Sequence, residues 1–199
     1  MAAANHAQNI IRRKLVFIGD GACGKTSLLS VFTLGYFPIT PTVFENYITD
    51  CRLDGKLVQL ALWDTAGQED YERLRPLAYS NAHVILVGFS VDTPDSLDNV
   101  KHKWAEEASR LCPNVPIILV GLKQDLRENP VSIKEMRKES LRFVTYQEGV
   151  DVAEGIGAWK YLECSSLSGK GVDNVFEAAT RAALLTIGKD EGSSCCVIL

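Results

Sequence analysis

The chain has 199 residues, 46% hydrophobic and 23% charged, a balance that suits one domain with a full core. Its formal net charge of −4 argues against a nucleic-acid partner, which would require a basic face, and no segment reaches the ~18 apolar residues of a membrane span. The cysteines at 23, 51, 112, 164, 195 and 196 show no C-x-x-C spacing and the three histidines are scattered, so free thiols are expected and a His/Cys metal site is not.

Polar residues 1–11 are expected to form a disordered extension, 12–187 a single domain, and 188–199 a flexible tail. The first element is the β-rich run Arg13-Lys14-Leu15-Val16-Phe17-Ile18-Gly19, followed by a helical stretch from Thr26 to Phe32. Residues 51–63 read as two strands turning at Asp54-Gly55, which places one antiparallel pair in the sheet. The runs at 83–89 and 116–121 have the unbroken apolar character of buried parallel strands. Thr93-Pro94 reads as a helix cap with proline in the first turn. Residues 127–145 are charged, with Ser132 and Glu135 spaced as a capping box, and predict an exposed helical insertion. In the last helix Val172, Val175, Phe176, Ala179 and Ala183 fall on one stripe. Alternating strands and helices predict a doubly wound α/β domain with ligands beyond the carboxyl ends of its strands.

At the end of the first strand lies Gly19-Asp20-Gly21-Ala22-Cys23-Gly24-Lys25-Thr26, which fits G-x-x-x-x-G-K-[ST]. Glycines let backbone N–H groups approach phosphate oxygens, Lys25 adds a cation at the β and γ phosphates, and the Thr26 hydroxyl can ligate Mg²⁺. ATPases, kinases and GTPases share this loop, so by itself it leaves the nucleotide open. Three further motifs each follow a strand: Asp64-Thr65-Ala66-Gly67-Gln68, Gly121-Leu122-Lys123-Gln124-Asp125, and Glu163-Cys164-Ser165-Ser166.

In this order and spacing the set resembles the Ras superfamily of small GTPases. The runs from Pro41 to Tyr47, Leu62 to Tyr79 and Ala179 to Leu185, the charged insertion, and the ending Cys196-Val197-Ile198-Leu199 look like the Rho family, most closely fungal Rho proteins, over residues 12 to 199. The resemblance implies a P-loop NTPase fold, Ras-like, with a six-stranded mixed sheet and helices on both faces. It also implies a GDP/GTP-regulated switch with bound Mg²⁺, acting as a monomer and signalling to actin organisation, polarity or fungal wall growth. Its partners would be an exchange factor, a GTPase-activating protein, a dissociation inhibitor and effectors such as protein kinases.

Carried onto this sequence, the nucleotide set is Gly19 through Ser27, Phe37, Thr42, Asp64 through Gln68, Lys123, Asp125, Leu126, Ser165, Ser166 and Leu167. Thr26, Thr42 and Asp64 would serve the metal. Asp125 would select guanine, because a carboxylate accepts from both the N1–H and the exocyclic amine, whereas adenine offers an acceptor at N1. The Ser166 N–H would meet the guanine carbonyl and the Lys123 stem would cover the ring. Gln68 resembles the glutamine that orients the attacking water, Lys25 neutralises charge, and the Gly67 N–H meets the γ-phosphate. No arginine in these motifs supplies a finger, so slow intrinsic turnover and a need for an activating protein are expected. Effectors would contact Val43, Phe44, Glu45 and Asn46, and regulators residues 71–77.

The C-a-a-X ending with leucine last favours geranylgeranylation of Cys196. One lipid anchors weakly and no basic cluster precedes it, so Cys195 is the expected palmitoylation site and the cytoplasmic face of the plasma membrane the expected location, with a cytosolic pool.

Three features depart from or add to the family pattern. Only Ile39-Thr40 separate Phe37-Pro38 from Pro41-Thr42, where the Rho pattern has four residues, a loss of about 7 Å of reach. This favours, as an alternative, a GTP-binding pseudo-switch with impaired cycling. Leu122 stands where a polar residue usually opens the base motif, which predicts the loss of a hydrogen bond and modestly weaker binding. Cys23, beside Lys25 at a helix start, is a candidate redox sensor through a lowered pKa.

Overall fold

Six strands form one sheet in the computed structural model, which describes residues 10–37, 46–65 and 75–186. They are β1 (Ile11–Gly19), β2 (Asn46–Leu53), β3 (Lys56–Asp64), β4 (Val84–Ser90), β5 (Ile117–Leu122) and β6 (Lys160–Glu163), in the spatial order β2-β3-β1-β4-β5-β6. Only β2 and β3 pair antiparallel, from Asn46 opposite Trp63 to Leu53 opposite Lys56. Their two-residue turn has Asp54 at φ 50° and Gly55 at φ 76°, the left-handed pair that matches the twist of a tight hairpin. Every other pairing is parallel, so each connection must cross the sheet, and the helices that do so cover both faces.

The helices are α1 (Lys25–Leu34), α2 (Arg75–Tyr79), α3 (Pro94–Asn99), α4 (Ala105–Leu111), α5 (Pro130–Lys138), α6 (Tyr146–Gly155) and α7 (Val172–Leu185). A π-helical turn, Val100–Trp104, joins α3 to α4. Because side chains alternate along a strand, Leu15 and Phe17 of β1 enter a core with α1 and α7, while Val16 and Ile18 enter one with the π turn, α4 and α6. In the first core the predicted stripe of α7 is buried, and Phe176 stacks on Phe32 of α1 with ring centroids 3.6 Å apart. Trp104 fills the second with no exposed surface.

Helix α5 of the insertion is exposed as expected, with no buried residue, but Val144 near the insertion's end is buried in the second core, and the capping differs. Asn129 accepts from the Val131 and Ser132 N–H groups and Pro130 occupies the first turn, so Ser132 lies inside the helix and forms no box with Glu135. An Asn-Pro pair outcompetes a serine two positions further on, because proline has no N–H to satisfy. The capping box is instead Thr145 with Glu148, which opens α6. There the Arg142 guanidinium and the Thr145 backbone N–H hold the Glu148 carboxyl down at about 2. Likewise Pro94 opens α3 as expected, but Thr93 makes no capping bond; its hydroxyl donates to Asp92.

Among the described residues, no helix is long and apolar enough to cross a membrane, and Cys23, Cys51, Cys112 and Cys164 are free thiols.

Candidate functional site

The motif residues in the described part of the chain gather beyond the carboxyl ends of β1, β3, β5 and β6. Gly19 ends β1 with φ 141°, and a Cβ there would lie 2.2 Å from the Gly88 carbonyl oxygen of β4, so only glycine lets the loop leave the sheet at this point. Gly24, at φ 111°, opens α1. The Lys25 ammonium, buried, folds back to donate to the carbonyls of Gly19 at 2.9 Å and Asp20 at 2.7 Å. It thereby sits within the loop whose phosphates it is expected to meet.

The Thr26 hydroxyl donates directly to the Asp64 carboxylate, which joins the start of α1 to the end of β3. Asp64 pairs in register with Phe17, and Thr65 bonds twice to the Phe17 carbonyl, through its N–H at 3.3 Å and its hydroxyl at 2.7 Å. A hydroxyl and a carboxylate are hard oxygen donors that suit Mg²⁺. Among the described residues no cluster of three or more His, Cys, Asp or Glu could make a protein cage. Such a sparse set matches Mg²⁺, which takes one or two protein ligands and completes its shell with waters and phosphate oxygens.

Next to the loop lies a pocket of about 160 Å³ lined by Gly24, Ser27, Phe37, Leu122, Lys123, Asp125, Leu126, Ser166 and Leu167. Lys123 takes a left-handed φ of 61°, and its stem passes over Gly24, so the base motif and the phosphate loop touch. Asp125 follows in a 3-10 turn, Gln124–Arg127. Opposite it, the Ser165 hydroxyl accepts the Ser168 N–H at 3.1 Å and the Ser165 N–H donates to Lys170, which shapes the turn carrying Ser166 and Leu167. Arg127 and Glu163 fasten these two walls with paired bonds of 2.6 and 2.8 Å, and Arg127 also donates to the Val144 carbonyl where the insertion returns. Glu163 belongs to a motif evident from the sequence, yet its bracing role needs the sheet register that brings Arg127 across.

Thr42, Val43, Phe44 and Glu45 lie outside the described residues, as do Ala66, Gly67, Gln68 and residues 71–74 and 195–196. Asn46, exposed, opens β2. Of the segment expected to meet regulators, Pro76 and Leu77 are exposed, but Arg75 turns inward to a bidentate pair with Glu107, both bonds 3.0 Å.

Two expectations change. Cys23 is buried with its thiol toward the Gly88 carbonyl, and burial raises its pKa more than the nearby Lys25 lowers it, so it lacks the thiolate character of a sensor. Leu122 does more than forgo a hydrogen bond. It is buried and packs against Gly24 and Gly88, where added Cβ atoms would lie 3.8 and 3.0 Å from its side chain. Leu122→Asn would place an amide in that apolar contact and is expected to cost about 1–3 kcal/mol, seen as a lower thermal midpoint. A variant as stable as the parent would contradict the packing, and its GDP affinity would report any bond regained.

The Ras family profile matches residues 14–185. The chain belongs to the Ras family, as a Rho-type small GTPase. It is 67% identical over 193 residues to GTP-binding protein rho2 of Schizosaccharomyces pombe, an alignment covering 94% of this chain and 96% of that protein. Identity to GTP-binding protein RHO2 of Saccharomyces cerevisiae is 59% over 195 residues, covering 97% of this chain and 100% of that protein, and to GTP-binding protein RHO1 of Candida albicans 58% over 191 residues, covering 95% and 96%. As a member of the family, the GTPase takes GTP or GDP with Mg²⁺ and hydrolyses GTP.

Proposed function

We propose that this GTPase is a membrane-anchored switch whose two nucleotide states are distinguished by the segments that carry Thr42 and Gly67. The observation that carries the reading is the convergence of Lys25, the Thr26–Asp64 pair and the Asp125 pocket beyond the carboxyl ends of the strands. Lys25 and the loop amides bind and orient the phosphates. Asp125 and Ser166 fix the base, so that the γ-phosphate is delivered to Thr42, Gly67 and Gln68. Bound Mg²⁺ supplies charge neutralisation at the β and γ phosphates. Losing the γ-phosphate removes the contacts of Thr42 and Gly67, which frees both segments for different partners. Gln68 orients water. Gln68→Leu is therefore expected to slow single-turnover γ-phosphate release at least tenfold in the presence of a Rho-activating protein, with GDP affinity intact, a fraction of the ~10⁵ by which an activating protein speeds hydrolysis by Ras. Unchanged release would remove Gln68 from this role.

The same reading assigns effectors such as protein kinases to Val43 to Asn46, exchange factors and other regulators to Tyr71 to Leu77, and output to actin, polarity or wall growth. Cys196 carries a geranylgeranyl chain and Cys195 a palmitoyl chain, which together hold the protein at the cytoplasmic face of the plasma membrane. Cys195→Ser should shift the protein to the cytosol in fractionation; full membrane retention would refute the second lipid.

A further inference from the structure

The phosphate loop contains an acid, Asp20, where a carboxylate beside bound phosphates is electrostatically unfavourable. Its geometry supplies a reason. The Asp20 Oδ1 accepts the indole N–H of Trp104 at 2.7 Å and its Oδ2 accepts the Asn99 amide at 2.8 Å, so both carboxylate oxygens are gripped by the helix that runs through α3, the π turn and α4.

The grip depends on the π turn. Asn99 and Trp104 are five positions apart, which on a regular helix of 3.6 residues per turn separates side chains by about 140°. Here the Ala105 N–H donates to the Val100 carbonyl, an i to i+5 bond, and the wider turn returns the fifth residue toward the side of the first. Trp104 is fully buried, with the Arg75 guanidinium carbon 5.1 Å from its ring centroid, so its N–H is held in place before any ligand arrives.

We propose that Asn99 and Trp104 are positioning residues for the phosphate loop: through Asp20 they set the path of the loop backbone and hold its one negative charge toward the helix. The proposal rests on the reading of Gly19 to Thr26 as the phosphate-binding loop. It extends that reading to two residues that touch no nucleotide.

The test times release of fluorescent GDP and fluorescent IDP from the full chain loaded with Mg²⁺, for the parent, Asn99→Ala, Trp104→Phe and Lys25→Ala. Asn99 is exposed, so its variant reports on the grip even if Trp104→Phe folds poorly. Both positioning variants should release GDP and IDP about five to ten times faster, by the same factor for each, because the base contacts stay intact. A cycle of Asn99→Ala with Asp20→Ala should be non-additive, Asn99→Ala adding little once Asp20 is already alanine, which loss of general stability would not produce. Unchanged release in Asn99→Ala and Trp104→Phe, with Lys25→Ala unable to retain nucleotide, would overturn the proposal and leave the loop assignment standing. Retention by Lys25→Ala equal to the parent would overturn both.

Discussion

Asp125→Ala is expected to lower GDP affinity by roughly two to four powers of ten and to abolish the preference for GDP over IDP. The carboxylate lines the pocket between Lys123 and Leu126, opposite Ser166. There it can accept from two donors on the guanine edge, each charge-assisted bond worth about 1.5–3 kcal/mol, and ~1.4 kcal/mol is tenfold in affinity. IDP keeps the N1–H and the carbonyl but lacks the exocyclic amine, so the parent should bind it about tenfold or more weakly, through the loss of one bond. With alanine at 125 neither donor has a partner and the two nucleotides become equivalent. Displacement of a fluorescent nucleotide by unlabelled GDP and IDP measures both quantities. A variant that still discriminates between them would transfer guanine recognition to some other group.

The site was legible in the sequence wherever its chemistry is carried by a contiguous motif. The loop from Gly19 to Thr26, the acid at 64 and the carboxylate at 125 each follow an apolar run short enough to be a strand, and parallel pairing then leaves their side chains at one edge. What brings those motifs together was less legible, because it depends on register between distant segments. Arg127 meets Glu163 across 36 positions, Trp104 meets Asp20 across 84, and neither partner is marked by local spacing. The π turn is invisible to periodicity, since a single wide turn shifts the phase of an otherwise regular apolar pattern by one residue. Helix starts were read imperfectly for a different reason. Several residues near positions 93, 132 and 145 could cap, and the competition is decided by neighbouring prolines and by which backbone N–H groups are left unbonded.

Replacing Glu107 by glutamine should be among the most destabilising single changes away from the nucleotide. Arg75 is 2% exposed and its guanidinium donates twice to Glu107, which also accepts the Tyr79 hydroxyl at 2.8 Å. Burial pushes the Glu107 carboxyl up, but the bonds from Arg75 and Tyr79 and the charge of Arg75 outweigh it, and the net pKa is lowered. A neutral glutamine leaves a desolvated cation facing an amide, a break that costs about 3–5 kcal/mol in buried pairs and about 10 °C in a domain of this size. The pH dependence has a definite sign. A carboxyl whose folded pKa is depressed adds stability above its unfolded value near 4.5, and that stability is lost as pH falls through the lower folded value. Glu107→Gln should therefore be less stable than the parent at neutral pH, and the difference should shrink below pH 4.5 as the parent loses its own advantage. Thermal melts of the nucleotide-loaded proteins at neutral and acid pH would show the two midpoints converging. A constant gap across that range would mean that Glu107 acts through packing alone. Because Arg75 opens α2 and also lies against Trp104, the same substitution should loosen the Trp104 ring; release of GDP from Glu107→Gln at a temperature well below its midpoint separates that local effect from unfolding.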